Sequence, residues 1–139
     1  MKKIFIDTNV LIDIITGRDG YMHSAQVLAL SDKTDVSLHA SVLTMANIAY
    51  ILRKQFRGEA MRKYLATIAN RLFIDSLTDS QFQSSLSFES PDFEDSLQYF
   101  CAIENECSVI ITNNVRHFKF SSIPVMTPSE FINSTEHPA

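Results

Sequence analysis

The sequence predicts an α/β protein with a parallel sheet of about five strands, and three observations support this prediction. Short runs rich in β-branched and apolar residues alternate with longer segments of helical spacing. The run SVIIT is almost continuously apolar, which is typical of a strand covered on both faces. The length of 139 residues, with 45% hydrophobic and 20% charged residues, fits one globular domain and excludes a disordered chain.

The β-rich runs define the expected strands in chain order. The first run, KIFI, is apolar and ends at a carboxylate, and the last run, IPVMTP, is short and flanked by prolines. The predicted strands cover residues 3–6, 35–40, 71–77, 108–112 and 123–128.

Apolar residues at helical spacing define the helices between these strands. Gly17 is expected to end the first helix, Gly58 follows a long helical pattern that runs from Val42 to Phe56, and Thr78 or Asp79 is a possible N-cap. The predicted helical segments cover residues 8–17, 21–32, 42–56, 59–70, 79–88 and 92–106, with a last turn at 128–132. Residues 1–133 are expected to form the single domain and residues 134–139 a flexible tail.

Cysteine content and hydropathy indicate the compartment. The two cysteines, Cys101 and Cys107, do not have the spacing of a metal pair, and partly buried thiols in a reducing compartment are expected. The N-terminus lacks the apolar run of a signal peptide, and no apolar stretch has the length of a membrane span. These features predict a soluble cytoplasmic protein.

The charges are distributed unevenly along the chain. The formal net charge is −4, so the protein is not a globally basic nucleic-acid binder, but residues 50–72 hold six basic residues against the single acid Glu59. This segment is interpreted either as a solvated helix face or as a surface that contacts nucleic-acid phosphates. The basic residues are Arg53, Lys54, Arg57, Arg62, Lys63 and Arg71.

Polar side chains follow three of the predicted strands. Ligands of open α/β sheets bind beyond the carboxyl ends of the strands, and oxygen ligands there suit a hard cation. Asp7 comes directly after the first strand and is a candidate metal ligand, although it is also suited to cap the helix that follows. The polar segments are Asp7-Thr8-Asn9, Ala40-Ser41 and Thr112-Asn113-Asn114.

Further polar candidates lie on two helices. Asp92 and Asp95 share a face at the start of a helix, and Glu94 is expected to lie off that face. Dipole complementarity alone explains Asp92 and Glu94, whereas Asp95 lies beside apolar positions and therefore needs a partner. Asn47 lies in the apolar stretch VLTMANIAYIL, where it is either a core amide bonded to backbone or a residue of the same site.

The histidines do not have the spacing of metal ligands. His39 is expected to be structural, and His117 is interpreted either as a contact to a phosphate or bound acid or as a loop residue. With only three glycines and no matching motif, a phosphate-binding glycine loop, a nucleophile elbow and a dinucleotide site are excluded.

Four motifs in this order resemble a PIN domain, and in particular the VapC-type toxin branch of small bacterial PIN proteins. The motifs are FIDTNVLID, ASVLTMANIAYILRK, SPDFEDSLQY and VIITNNVRHF, and the resemblance covers residues 2–131. It implies a parallel sheet sandwiched between two layers of helices, with an acidic pocket at the carboxyl ends of the strands. It also implies a Mg²⁺- or Mn²⁺-dependent endoribonuclease.

The resemblance assigns roles to individual residues. Asp7 matches the first acid of the family, Asp95 the third, and Asn114 the fourth position, where the family has Asp or Asn. Asn47 stands where the family usually has Glu, so Asp7 and Asp95 remain as the metal-binding carboxylates. Supporting residues are expected among Asn9, Thr112, Asp92, Glu94 and Asp13.

The resemblance also implies partners. RNA is the expected substrate, with Arg53, Lys54 and Arg57 as candidate RNA-binding residues; a small antitoxin and a homodimer are expected as well. The alternative is a catalytically impaired PIN scaffold that binds RNA or a protein without cleavage, because Asn47 reduces the number of anionic ligands. A phosphotransfer enzyme based on Asp7 is disfavoured, because no lysine is positioned near the fourth strand.

Overall fold

A five-stranded sheet forms the centre of the computed structural model, which describes residues 2–18 and 20–136. All neighbouring strands are parallel, in the spatial order β3-β2-β1-β4-β5. This arrangement confirms the predicted fold class. The strands are β1 (Lys2–Ile6), β2 (Val36–Ser41), β3 (Phe73–Asp75), β4 (Val109–Ile111) and β5 (Val125–Met126).

The two faces of the sheet are both buried, which explains the continuous apolar runs in β1 and β4. Along β1, Ile4 and Ile6 point to one face and pack in the larger core, while Phe5 points to the other face. Phe5 lies beside Ile110 of β4 in the parallel register, and both side chains are fully buried in the second core.

Seven helices in the described residues cover the sheet. The larger core receives side chains from α1, α2, α3, α4 and α7, and the second core receives them from α6, against which α5 packs. The layers are therefore helix, sheet and helix. The helices are α1 (Thr8–Thr16), α2 (Tyr21–Ala29), α3 (Val42–Ile51), α4 (Gly58–Ala69), α5 (Asp79–Ser87), α6 (Phe93–Glu104) and α7 (Pro128–Glu136).

Side-chain caps begin the helices that follow strands β1, β2 and β3. Asp7, Ser41 and Thr78 each accept a hydrogen bond from a backbone N–H of the following helix, and Thr78 forms a full capping box with Gln81. Gly17 ends α1 in the left-handed conformation, with φ of 66°, as the sequence predicts.

Several boundaries differ from the prediction. The helix predicted to reach Phe56 ends at Ile51, because Leu52 leaves helical geometry and turns follow, which lets Phe56 pack against Tyr64. The segment 21–32 divides into α2 and a 3-10 turn, Leu30–Asp32. Strands β3 and β5 are shorter than predicted, since each lies at an edge and pairs on one side only.

The C-terminal helix is longer than the single turn that was expected. Helix α7 continues to Glu136, because Phe131 and Ile132 are buried against the larger core and anchor it there. Residues 134–136 of the predicted tail are therefore helical, and residues 137–139 lie outside the described residues.

Both thiols lie in the second core. Cys101 and Cys107 are free and buried, more completely than predicted, and burial raises the pKa of each thiol to about 12. Within residues 2–18 and 20–136, no helix is both long and apolar enough to cross a bilayer.

Candidate active site

A polar cleft lies at the carboxyl ends of the strands. Strand β1 has β2 on one side and β4 on the other, so the chain order reverses at β1, which is where open α/β sheets bind ligands. The cleft has a volume of about 440 Å³. Its polar lining includes Asp7, Asn9, Asn47, Glu94, Asp95 and Asn114.

Asp7 is the most constrained acid of the cleft. Its Oδ1 accepts the backbone N–H of Thr8 at 2.8 Å, and its Oδ2 accepts hydrogen bonds from Asn9 Nδ2 at 3.0 Å and Thr112 Oγ1 at 2.8 Å. Burial raises the pKa of Asp7, although these three hydrogen bonds oppose the change. The residue both caps α1 and faces the cleft, so the two roles considered from the sequence are compatible.

Hydrogen bonds around Asp7 join the start of α1 to the loop that follows β4. Asn9 Oδ1 accepts the backbone N–H of Asn113 at 3.0 Å, while its amide group donates to Asp7. Thr112 donates to Asp7 and accepts the backbone N–H of Asn114 at 3.0 Å. These bonds fix the orientation of the Asp7 carboxylate relative to the loop after β4.

Asp95 carries the least satisfied polar atom of the cleft. Its Oδ2 is buried and accepts no hydrogen bond from any described residue, while His117 Nδ1 lies 3.4 Å away. Burial, together with the negative charges of Asp92 and Asp7, raises the pKa of Asp95 to about 6. A buried carboxylate oxygen without a donor is well suited to accept a cation.

Asn47 and Glu94 form a pair across the cleft. Asn47 Nδ2 donates to Glu94 Oε1 at 2.5 Å, and both residues line the cleft. Glu94 therefore holds its carboxylate next to Asn47 at the cleft. Asp92 was expected to share a helix face with Asp95, but it precedes α6 as an extended N-cap residue, so the helical spacing rule does not apply to it; Glu94, not Asp92, lines the cleft with Asp95.

Asp92 and Asp13 have other contacts. Asp92 caps α6 by accepting the backbone N–H of Asp95 at 3.2 Å. Asp13 accepts the Asn113 side-chain amide at 2.6 Å and pairs with Arg18 at 3.8 Å. Neither carboxylate belongs to the lining of the cleft.

A buried polar network supports the floor of the cleft. Gln98 accepts from Ser41 Oγ at 2.7 Å and donates to Thr44 Oγ1 at 2.8 Å, and Thr44 in turn contacts Thr8 Oγ1 at 3.0 Å. The network connects α1, α3 and α6, which carry the residues of the site. It was not predicted, although the polar residues within the apolar α3 sequence were a signal for it.

The donor set fits Mg²⁺ or Mn²⁺ held partly by water. Among the described residues, no three His, Cys, Asp or Glu side chains cluster closely enough for a metal site built from such ligands alone. Mg²⁺, however, is commonly bound by one or two carboxylates and keeps several waters. Asp7 and Asp95 provide these carboxylates, and the lone pairs that their hydrogen bonds leave free remain available.

The basic residues of the segment lie in three different environments. Arg53, Lys54 and Arg57 line a groove of about 490 Å³, and Arg53 stacks on Tyr50 of the cleft. Arg71 instead pairs with Asp32 at 3.2 Å on the surface. The remaining two basic residues, Arg62 and Lys63, are exposed on α4.

One further residue, His39, was considered from the sequence, and another, Tyr50, was not. His39 is buried between Ser37 Oγ at 3.0 Å and Asp75 Oδ2 at 2.9 Å, and it stacks on Phe73, in accordance with the expected structural role. Tyr50 lines the cleft and was missed, although its position one helical turn after Asn47 was a signal.

Comparison with known proteins gives a consistent result. The family model described as "PIN domain" matches residues 3–116. The chain is 27% identical over 138 residues to Ribonuclease VapC1 of Aquifex aeolicus (strain VF5). The alignment covers 94% of this chain and 93% of that protein.

Solved structures share the fold. VapBC-1 from nontypeable Haemophilus influenzae has a TM-score of 0.69 at 15% identity, and FitAcB from Neisseria gonorrhoeae has 0.68 at 16% identity; each covers 91% of this chain and 98% of the other. VapBC2 from Rickettsia felis, bound to a promoter DNA fragment, has a TM-score of 0.65 at 18% identity. The superposition covers 89% of this chain and 96% of the VapBC2 chain.

Proposed function

This chain belongs to the PIN domain family, and we propose that it is a metal-dependent endoribonuclease, the toxin of a type II toxin–antitoxin pair. The observation that carries the proposal is the meeting of Asp7 and Asp95 in one cleft although they are far apart in sequence, with a buried oxygen of Asp95 left without a donor. The similarity to Ribonuclease VapC1 supports RNA as the substrate.

The two acids share one task in this proposal. Asp7 and Asp95 would hold Mg²⁺ or Mn²⁺, which activates water and neutralises charge on a phosphodiester. Asn9 and Thr112 fix the Asp7 carboxylate through hydrogen bonds, so its orientation is set before the ion binds. Asn114 lines the same cleft and is positioned by its backbone bond to Thr112.

Glu94 compensates for the missing family acid in this proposal. Asn47 contributes no charge, but it holds Glu94 at the cleft through its amide. Glu94, supplied from α6 instead of α3, adds a third negative charge to the lining of the cleft beside the two carboxylates that would hold the ion. His117 lies beside Asp95 and, when protonated, offsets part of the negative charge before a cation binds.

The partners follow from the same assignment. Several structural neighbours are described as VapBC proteins, which supports a small antitoxin as the partner of this chain. A homodimer and a location in the cytoplasm remain part of the proposal. A short reading frame beside the gene, whose product co-purifies with this chain and inhibits cleavage, would test the antitoxin assignment.

Cleavage of single-stranded RNA by the Asp7→Asn variant tests the proposed activity. Because Asp7 is one of the two central ligands, the variant is expected to lose EDTA-sensitive cleavage while its far-UV circular dichroism remains that of the parent. Asp35→Asn is the matched control, since Asp35 is exposed and its carboxylate has no role in the site. Retained EDTA-sensitive cleavage in Asp7→Asn would show that other residues perform the reaction.

The second candidate is a PIN scaffold without cleavage, and Asn47 at the position of the family acid is the observation that favours it. Mn²⁺ affinity separates the two. Micromolar binding that is lost in Asp95→Asn supports the enzyme, whereas no measurable binding in the parent protein supports the scaffold.

A further inference from the structure

Tyr50 is a large aromatic side chain left open beside the acidic cleft. It is 65% exposed although it lines the cleft, and it lies one helical turn beyond Asn47. Burial of an aromatic ring is favourable, so an open ring at this position is available for a partner.

One face of the Tyr50 ring is already occupied. The Arg53 guanidinium carbon lies 3.9 Å from the ring centroid, and Arg53 Nη1 donates to the Tyr50 carbonyl oxygen at 2.7 Å. The hydrogen bond holds the guanidinium in place over the ring. The residue as a whole is still 65% exposed, so the ring remains accessible to a partner.

The basic groove begins at the same pair. Arg53 also lines the groove of about 490 Å³ that contains Lys54 and Arg57. Tyr50 and Arg53 thus connect two surfaces of opposite charge, the acidic cleft and the basic groove. A single strand of nucleic acid offers matching chemistry, because its bases stack on aromatic rings and its phosphates contact cations.

We propose that Tyr50, backed by Arg53, stacks on one unpaired nucleobase of the RNA while neighbouring phosphates lie in the groove of Arg53, Lys54 and Arg57. This inference rests on the proposed function, for which it names single-stranded RNA as the substrate class. A base within a duplex is already stacked on both faces, so the site discriminates against paired RNA. The stacked base also places the strand relative to the carboxylates.

Fluorescence of a short single-stranded RNA that carries 2-aminopurine tests the stacking in EDTA, where cleavage is absent. Stacking of 2-aminopurine on Tyr50 is expected to quench its fluorescence in the complex with the parent. Tyr50→Leu keeps an apolar side chain but removes the ring, so it is expected to weaken RNA binding about tenfold and to abolish this quenching. Tyr50→Phe keeps the ring and is expected to bind like the parent. Tyr21→Leu is the matched control, because Tyr21 is an exposed tyrosine on α2 that does not line the cleft.

A duplex of the same sequence supplies the second measurement. Tyr50→Leu should leave the weak binding of the duplex unchanged, because only phosphate contacts contribute there. Parent-like affinity and quenching in Tyr50→Leu would overturn the proposal, as would an equal loss on duplex RNA or an equally large loss in Tyr50→Phe. Loss of antitoxin binding with intact RNA binding would likewise overturn it and assign Tyr50 to a protein interface.

The experiment separates this inference from the proposed activity. If the parent cleaves RNA with Mn²⁺ and Tyr50→Leu binds RNA as the parent does, only the stacking is refuted. If Tyr50→Leu loses binding and quenching in EDTA but no cleavage occurs with any divalent ion, the stacking stands and the ribonuclease assignment fails.

Discussion

Replacement of Asp95 by Asn should stabilise the metal-free protein. The pKa of Asp95 is about 6, against an ordinary value of 3.8, so the folded state binds this proton more tightly than the unfolded state. As the pH rises from below 3.8 through about 6, the folded protein loses stability because the carboxyl group must ionise in a buried position and beside the charges of Asp92 and Asp7. At pH 7 this cost is complete, and Asp95→Asn removes it.

The magnitude can be worked out from the structure. The difference between the two pKa values corresponds to about 3 kcal/mol at most. The side chain is 16% exposed, which screens part of this energy, and the first turn of α6 favours a carboxylate by about 0.5 kcal/mol. We therefore expect a gain of about 1–2 kcal/mol, or about 3–7 °C in Tm.

Thermal unfolding followed by circular dichroism in EDTA measures this gain. It should be present at pH 7 and shrink to a small fraction near pH 4, where the carboxyl group is largely protonated in the folded protein. Asp35→Asn, an exposed control, should change the free energy of unfolding by less than about 0.5 kcal/mol. Saturating Mn²⁺ should stabilise the parent more than Asp95→Asn and reduce or reverse the difference.

Two results would refute this reasoning. If Asp95→Asn is no more stable than the parent at pH 7, the buried oxygen is satisfied by a group that the described residues do not include. If the gain is equally large at pH 4, it does not come from removal of a charge.

Two further predictions concern the third carboxylate and the basic groove. Glu94→Gln should weaken Mn²⁺ binding about tenfold by calorimetry while Glu59→Gln on α4 does not, because the proposed function uses the charge of Glu94 in place of that of the family acid; equal affinities would leave Glu94 as a partner of Asn47 only. The double replacement of Arg53 and Arg57 by Ala should weaken RNA binding at low salt and reduce its salt slope by about 1.4, with Mn²⁺ affinity unchanged. The control pair is Arg62 and Lys63, exposed on α4 outside the groove. An unchanged salt dependence of RNA binding in the Arg53 and Arg57 variant would identify these residues as a solvated face. Loss of a dimer with intact RNA binding would assign them to a protein–protein interface.

The fold was predictable because local signals and burial agree. The apolar strands end directly at polar residues, and caps such as Asp7 and Thr78 lie where the sequence indicates. The meeting of Asp7 and Asn114 followed from the rule that parallel strands carry their sites at their carboxyl ends, whereas Asp95, on α6, was expected there from its apolar neighbours and the resemblance.

The remaining features depend on tertiary contacts. The end of α3 at Ile51 depends on Phe56, which packs on Tyr64 after the chain has left the helix. No glycine or proline between Val42 and Ile51 signals this helix end in the sequence. The orientation of Glu94 depends on Asn47 of another helix, 47 residues away in sequence. Periodicity describes which face a residue occupies within one helix, but not which distant side chain it reaches.

The central place of β1 has a consequence for synthesis of the chain. Strand β1 needs β4 as a neighbour, and β4, more than 100 residues later in the chain, is complete only at Ile111. A nascent chain that has not yet reached Asp95 carries Asp7 without its partner acid, without the Thr112 hydroxyl that orients it and without one wall of the second core. Synthesis as far as Thr112 thus precedes assembly of the cleft, and products truncated before that residue do not contain it.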